Sequence, residues 1–170
     1  MPGAFLFDTN IATAMWDMGS KYHQKAREFA SSLDKNDEII ISAVTLAEVE
    51  YGLRTAPKID AARQEMERNA MGIYAFTLPI TGSTVEYYSE IRSKLFMKYS
   101  PRNARGRLTQ HWVEDLLERT PGKLLGAQEN DIWIAAQAME MDLVLVAEDK
   151  HMDRIASLQL NPGLHIRHWR

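Results

Sequence analysis

Four carboxylates stand at points in the sequence where chemistry could be done. Asp8 directly follows the apolar run 4–7, and Glu48 lies one turn into the helical segment after the run 38–41. Asp131 opens a helical segment after Asn130, and Asp149 closes the run 143–147. If those runs are parallel strands, the acids belong at their carboxyl ends, where open α/β sheets bind ligands. Carboxylates held close together repel one another and raise each other's pKa, and a cation among them removes that penalty. The chain has no cysteine, and no paired histidines accompany the acids, so oxygen ligands dominate and the expected ion is Mg²⁺, with Mn²⁺ able to substitute. Such ions activate water and stabilise charge on a phosphoryl group, the two tasks of phosphodiester hydrolysis. A plainer role stays open for each acid, because an Asp after a strand often does no more than cap the next helix.

The acids need elements to position them. Short β-like runs at 4–7, 38–41, 74–78, 143–147 and 165–167 alternate with longer segments of helical period. That alternation predicts an α/β fold with a mostly parallel sheet of about five strands. Tyr22, Ala26, Phe29, Ala30 and Leu33 recur at spacings of three and four, so one face of their segment should be buried. Ser42 is placed to cap a helix carrying Val44, Leu46, Ala47, Val49 and Leu53, which Gly52 and Pro57 help to end. Further helices are predicted at 59–70, 84–98, 107–119, 132–141 and 150–158. The stretch 99–128 breaks this rhythm with Pro101, Gly106, Pro121, Gly122 and Gly126 around a helical segment at 108–119. It reads as a helical insertion on a single domain spanning 1–170.

Together, Asp8-Thr9-Asn10, Ser42-x-x-Thr45-x-x-Glu48 with Tyr51-Gly52, Asn130-Asp131-x-x-Ile134-Ala135-Ala136 and Leu145-Val146-Ala147-Glu148-Asp149 form an ordered set. The set resembles PIN-domain proteins, and within them the VapC-type toxin ribonucleases of toxin–antitoxin modules. The resemblance extends to Pro162-Gly163-Leu164-His165-Ile166, which is similar to the family's closing turn and edge strand. It implies a three-layer α/β/α fold and a metal-dependent endoribonuclease whose catalytic, metal-binding quartet is Asp8, Glu48, Asp131 and Asp149. Thr9 and Asn130 would stand beside those acids, and Asp153 competes with Asp149 for the fourth place. The resemblance further implies an RNA substrate, a cognate antitoxin and a homodimer. The sequence departs from the family in two respects. Ala147 stands where relatives often carry a hydroxyl, and the stretch 99–128 is longer than the connection usual there.

From Arg92 to Arg107 the chain carries six cations and no acid. Lys98, Arg102, Arg105 and Arg107 could follow an RNA backbone beside Phe96 and Tyr99, and an ordinary solvated helix face and loop explains the run equally well. His151 reads as a surface residue, Trp16 and Trp133 as core or interface residues, and Glu50, Glu129 and Glu148 as solvated charges.

Across 170 residues, 20 Lys and Arg face 23 Asp and Glu for a net charge of −3, and 45% of the residues are hydrophobic. A strongly basic nucleic-acid binder, a disordered tail and a disulfide scaffold are excluded. No basic leader precedes an apolar stretch and no apolar run reaches membrane length, so no membrane association and a cytoplasmic location are expected. Two other readings remain. One is a housekeeping RNA-processing or flap-type DNA nuclease of the same fold, and the other is a catalytically silent protein that binds RNA or a partner.

Overall fold

The computed structural model describes residues 3–55, 65, 68–69, 72, 76–118, 123–148 and 150–170. A five-stranded sheet carries the fold, in the order β3-β2-β1-β4-β5, with β1 Ala4–Phe7, β2 Glu38–Ser42, β3 Phe76–Leu78, β4 Val144–Val146 and β5 His165–Arg167. β1 pairs in parallel with β2 and with β4, and β2 pairs in parallel with β3. Phe5, Leu6 and Phe7 are all buried, as a near-continuous apolar strand of a parallel sheet should be.

Six α-helices occur among the described residues. They are α1 Thr9–Trp16, α2 His23–Ser31, α3 Ala43–Thr55, α4 Gly82–Tyr99, α5 Glu129–Glu140 and α6 Lys150–Ala156. This is the predicted α/β class. The predicted helix 59–70 falls almost wholly outside the described residues, as do residues 74 and 75 of the predicted third strand. α3 runs through Gly52 and on to Thr55, so that glycine does not end the helix.

The chain divides into two compact units. The first comprises residues 1–79, 143–148 and 167–170. Its core gathers Phe5 and Phe7 of β1, Ile11, Ala12 and Trp16 of α1, Ala26 of α2, Ile41 of β2, Leu53 of α3, Val146 and Trp169. Tyr22, Phe29, Ala30 and Leu33 pack against this cluster, so the face predicted for α2 is the buried one.

The second unit comprises residues 80–142 and 149–166. α4 begins with a capping box in which the Thr81 hydroxyl accepts the Ser83 and Thr84 amides, while the Thr84 hydroxyl accepts the Thr81 amide at 2.9 Å. The Thr84 hydroxyl also meets the Glu140 carboxylate at the end of α5, and Tyr88 stacks on Trp133 with ring centroids 3.8 Å apart.

The insertion is not helical as predicted. Within 107–118 the only helical geometry is a 3-10 turn at Val113–Asp115, accompanied by isolated antiparallel bridges at Arg102–Leu108 and Leu117–Leu124. Gly106 has φ +73°, and the amides of Thr109 and Gln110 are taken by the Pro101 carbonyl and the Ser100 hydroxyl. Further along, the Glu118 amide goes to the Lys123 carbonyl and the Leu116 carbonyl takes the Leu125 amide, each at 2.7 Å, so groups that an i, i+4 helical ladder would need are spent on a cross-strand partner.

Candidate active site

In the first unit, the site grows from the end of the central strand. The backbone leaves β1 extended at Asp8, whose carboxylate caps α1 by accepting the Thr9 amide at 2.7 Å. The Asp8 amide donates to the Val146 carbonyl at 3.1 Å, and only 3% of the residue is exposed. A carboxylate buried to that degree is costly unless neighbours or an ion stabilise it.

Thr9 extends the arrangement. Its hydroxyl donates to the Glu48 carboxylate and lies 3.4 Å from the hydroxyl of buried Thr45. Thr45 and Glu48 are three residues apart on α3 and so share a face. Ser42 fixes the start of that helix by accepting the Val44 amide at 2.9 Å, the capping role predicted for it. Thr9 thus binds Asp8 through its backbone and Glu48 through its side chain. Glu50 is no free surface charge, because it pairs with Arg54 at 2.6 Å and Arg68 at 2.8 Å, and these bonds hold its carboxyl down to about 2. Glu148 is likewise paired, with Arg170.

In the second unit, Asp131 lies in the first turn of α5 and accepts the Gln128 amide at 2.7 Å, closing a capping box. The His151 imidazole Nε2 lies 3.2 Å from the same carboxylate oxygen, and both side chains are largely buried. His151 is therefore not the surface residue that its sequence position suggests. Asn130 is half-buried in the same first turn, and Asp153 is exposed on α6 beside buried Met152 and Ile155. Asp149 lies outside the described residues. Glu129 meets Arg92, yet burial pushes its carboxyl above the usual range.

The capping reading and the ligand reading are compatible here. A cap uses one of the roughly four acceptor positions of a carboxylate. Among the described residues no group of three or more His, Asp or Glu side chains stands where it could hold one ion. The donor chemistry nevertheless fits a hard divalent cation, since a buried Asp and a half-buried Glu, tied through one threonine, present oxygen and the chain holds no thiol.

The six-cation stretch is divided in use. Arg92 and Lys94 pair with Glu129 and Glu90. Lys98, Arg102, Arg105 and Arg107 are exposed, and among the described residues none of them is in an ion pair. Phe96, one of the aromatics expected beside them, is buried.

The fold is similar to those of VapBC proteins and of a VapC toxin. VapBC2 from Rickettsia felis bound to a promoter DNA fragment is 20% identical with a TM-score of 0.64, covering 98% of this chain and 99% of that one. DNA-bound VapBC from Salmonella typhimurium is 20% identical with a TM-score of 0.60 over the whole of both chains. VapC20 from Mycobacterium tuberculosis, a toxin that cleaves the sarcin-ricin loop, is 12% identical with a TM-score of 0.57, covering 92% and 98%. No curated protein matches the sequence. A family model does, and the residues it matches, 5–158, take in Asp8, Thr9, Glu48, Asp131 and nearly every element that carries them. The chain belongs to the PIN-domain family.

Proposed function

We propose that this PIN protein is a metal-dependent endoribonuclease and the toxin of a toxin–antitoxin pair. The observation that carries the reading is the buried Asp8 carboxylate at the end of the central strand, joined to Glu48 through Thr9. Asp8, Glu48, Asp131 and Asp149 would hold the ion, Mg²⁺ or in its place Mn²⁺. When bound, such an ion lowers the pKa of a coordinated water and offsets charge developing on the phosphoryl group. The residues of this chain do the positioning. Thr9 fixes the Glu48 carboxylate, the Val146 carbonyl fixes the backbone at Asp8, and His151 with the Gln128 amide orients Asp131.

Asn130 and Asp153 remain candidates for supporting roles around that set. The resemblance of the fold to VapBC proteins supports an antitoxin partner, and the proposal extends to a homodimer and to a single PIN-like domain over 1–170. No helix among the described residues is long and apolar enough to cross a membrane, in keeping with the cytoplasmic location proposed here.

Asp8→Asn is the test. It keeps the cap acceptor and removes one negative charge, so cleavage of single-stranded RNA in Mn²⁺ should disappear while circular dichroism stays unchanged. Mn²⁺ should raise the melting temperature of the wild type and not of the variant, because an ion that binds only the folded state stabilises it by mass action. Cleavage by Asp8→Asn at the wild-type rate would overturn the assignment.

A further inference from the structure

Residues 101–109, a hairpin just ahead of the segment where the apolar spacing predicts a helix, hold part of the surface that carries the next inference. Residues 101–109 form a tight turn and its two arms. Gly106 donates to the Asn103 carbonyl at 2.9 Å, Asn103 donates to the Arg107 carbonyl at 3.0 Å, and Gly106 takes the left-handed φ that such a turn requires. The Asn103 side chain accepts the Arg105 and Arg107 amides at 2.9 and 3.1 Å, an Asx turn that stiffens the tip.

The base is fixed as well. Thr109 donates twice to the Pro101 carbonyl, through its amide and its hydroxyl, and Arg92 donates to the His111 carbonyl. Arg102 spends a bond on the Gly106 carbonyl at 2.7 Å, whereas Arg105 and Arg107 project from the ordered turn with no carboxylate partner among the described residues.

Three residues after the hairpin stands Trp112, with 67% of its surface exposed. It is not loosely held, because Val113 next to it is fully buried and the Trp112 carbonyl accepts the Asp115 amide at 3.2 Å. An exposed indole on a fixed backbone, five residues along the chain from the guanidinium group of Arg107 on a stiff turn, supplies the two features by which proteins hold single-stranded nucleic acid. Cations track the phosphates, and an aromatic face stacks on a base. Of the acids that follow, Glu114 is turned toward α5, where it accepts the Glu129 amide at 3.2 Å, and Asp115 stays at the surface.

We infer that the 101–109 hairpin and Trp112 form a docking surface for single-stranded RNA, with Arg105 and Arg107 on phosphates and Trp112 stacked on a base. The choice of RNA rests on the ribonuclease reading above. Arg102 and Lys98 are exposed on the same unit.

The test is fluorescence anisotropy with a fluorescein-labelled single-stranded RNA of mixed sequence, titrated with the full chain in EDTA across a KCl series. EDTA keeps binding separate from metal-dependent cleavage, so binding without any cleavage in Mn²⁺ would overturn the nuclease reading and leave this one standing. Arg105→Gln with Arg107→Gln should flatten the slope of log affinity against log salt by about 1.4, at about 0.7 for each single-strand phosphate no longer neutralised. Trp112→Ala should weaken binding roughly 5- to 150-fold with little change in slope, and Trp112→Tyr should restore most of the affinity. Arg105→Gln alone, with half the slope change, serves if the double variant does not fold. An unchanged slope, an unchanged affinity in Trp112→Ala, or tighter binding of duplex DNA or an acidic peptide than of the RNA would overturn the inference.

Discussion

Thr9 shows how one side chain can settle the geometry of two others. Its hydroxyl donates to Glu48 and its amide to Asp8, and Thr9→Val removes only the first bond, so it should cost about 1.5–3 kcal/mol, the usual loss for a hydrogen bond to a charged group, read by urea denaturation. Thr9→Ser should recover most of it. Glu50 makes a separate prediction about pH. Arg68 and then Arg54 depress its carboxyl from an ordinary 4.5 to about 2 in the folded chain. A depressed folded pKa stabilises above the unfolded value, so the stability advantage of the wild type over Glu50→Gln should be constant near neutrality and shrink as pH falls from about 4.5 toward about 2. Denaturation curves for both proteins across that window check it. At this scale the sequence disclosed residue types and local spacing. Thr45 and Glu48 share a face by their separation of three, whereas nothing near His151 points to Asp131 twenty positions earlier, a contact that only the fold creates.

Elements were legible where one local signal dominated. The β1 and β2 runs, the cap at Ser42 and the buried face of α2 all follow from patterns of a few residues. α1 is harder to see, because Asp8 draws attention for its chemistry while also serving as the cap that starts a helix at Thr9. In 107–118, apolar spacing favours a helix, but an Asx turn and a left-handed glycine reverse the chain at 103–107, and the Glu118 amide goes to the Lys123 carbonyl. The neighbouring segment is held by a side chain from α6. Arg154 donates to the Leu125 carbonyl and to Glu118, around the Leu117–Leu124 bridge, and Leu125 in turn donates to the Leu116 carbonyl at 2.7 Å. Arg154→Met keeps the apolar stem and removes the clasp, so hydrogen exchange at the Leu125 amide should quicken while amides of α4 stay protected.

Over the whole molecule, the net charge of −3 argues against a nucleic-acid ligand until its distribution is resolved. Two of the six clustered cations are spent on carboxylates, and four remain exposed on one unit, which a global sum cannot reveal. The order of the sheet has a different consequence, one of timing. β1 leaves the ribosome well before its neighbour β4, so Phe5 must pair with Val144 across a long stretch of chain. Such distant pairing is slow to form. Until β4 exists, one edge of β1 stays open to pairing with other chains. A chain shortened to residue 142 should therefore leave the Asp8 amide, whose acceptor is Val146, exchanging at the solvent rate, as amide mass spectrometry would read. Translation thus sets the acid at the centre of the candidate site only after residue 146 has been made.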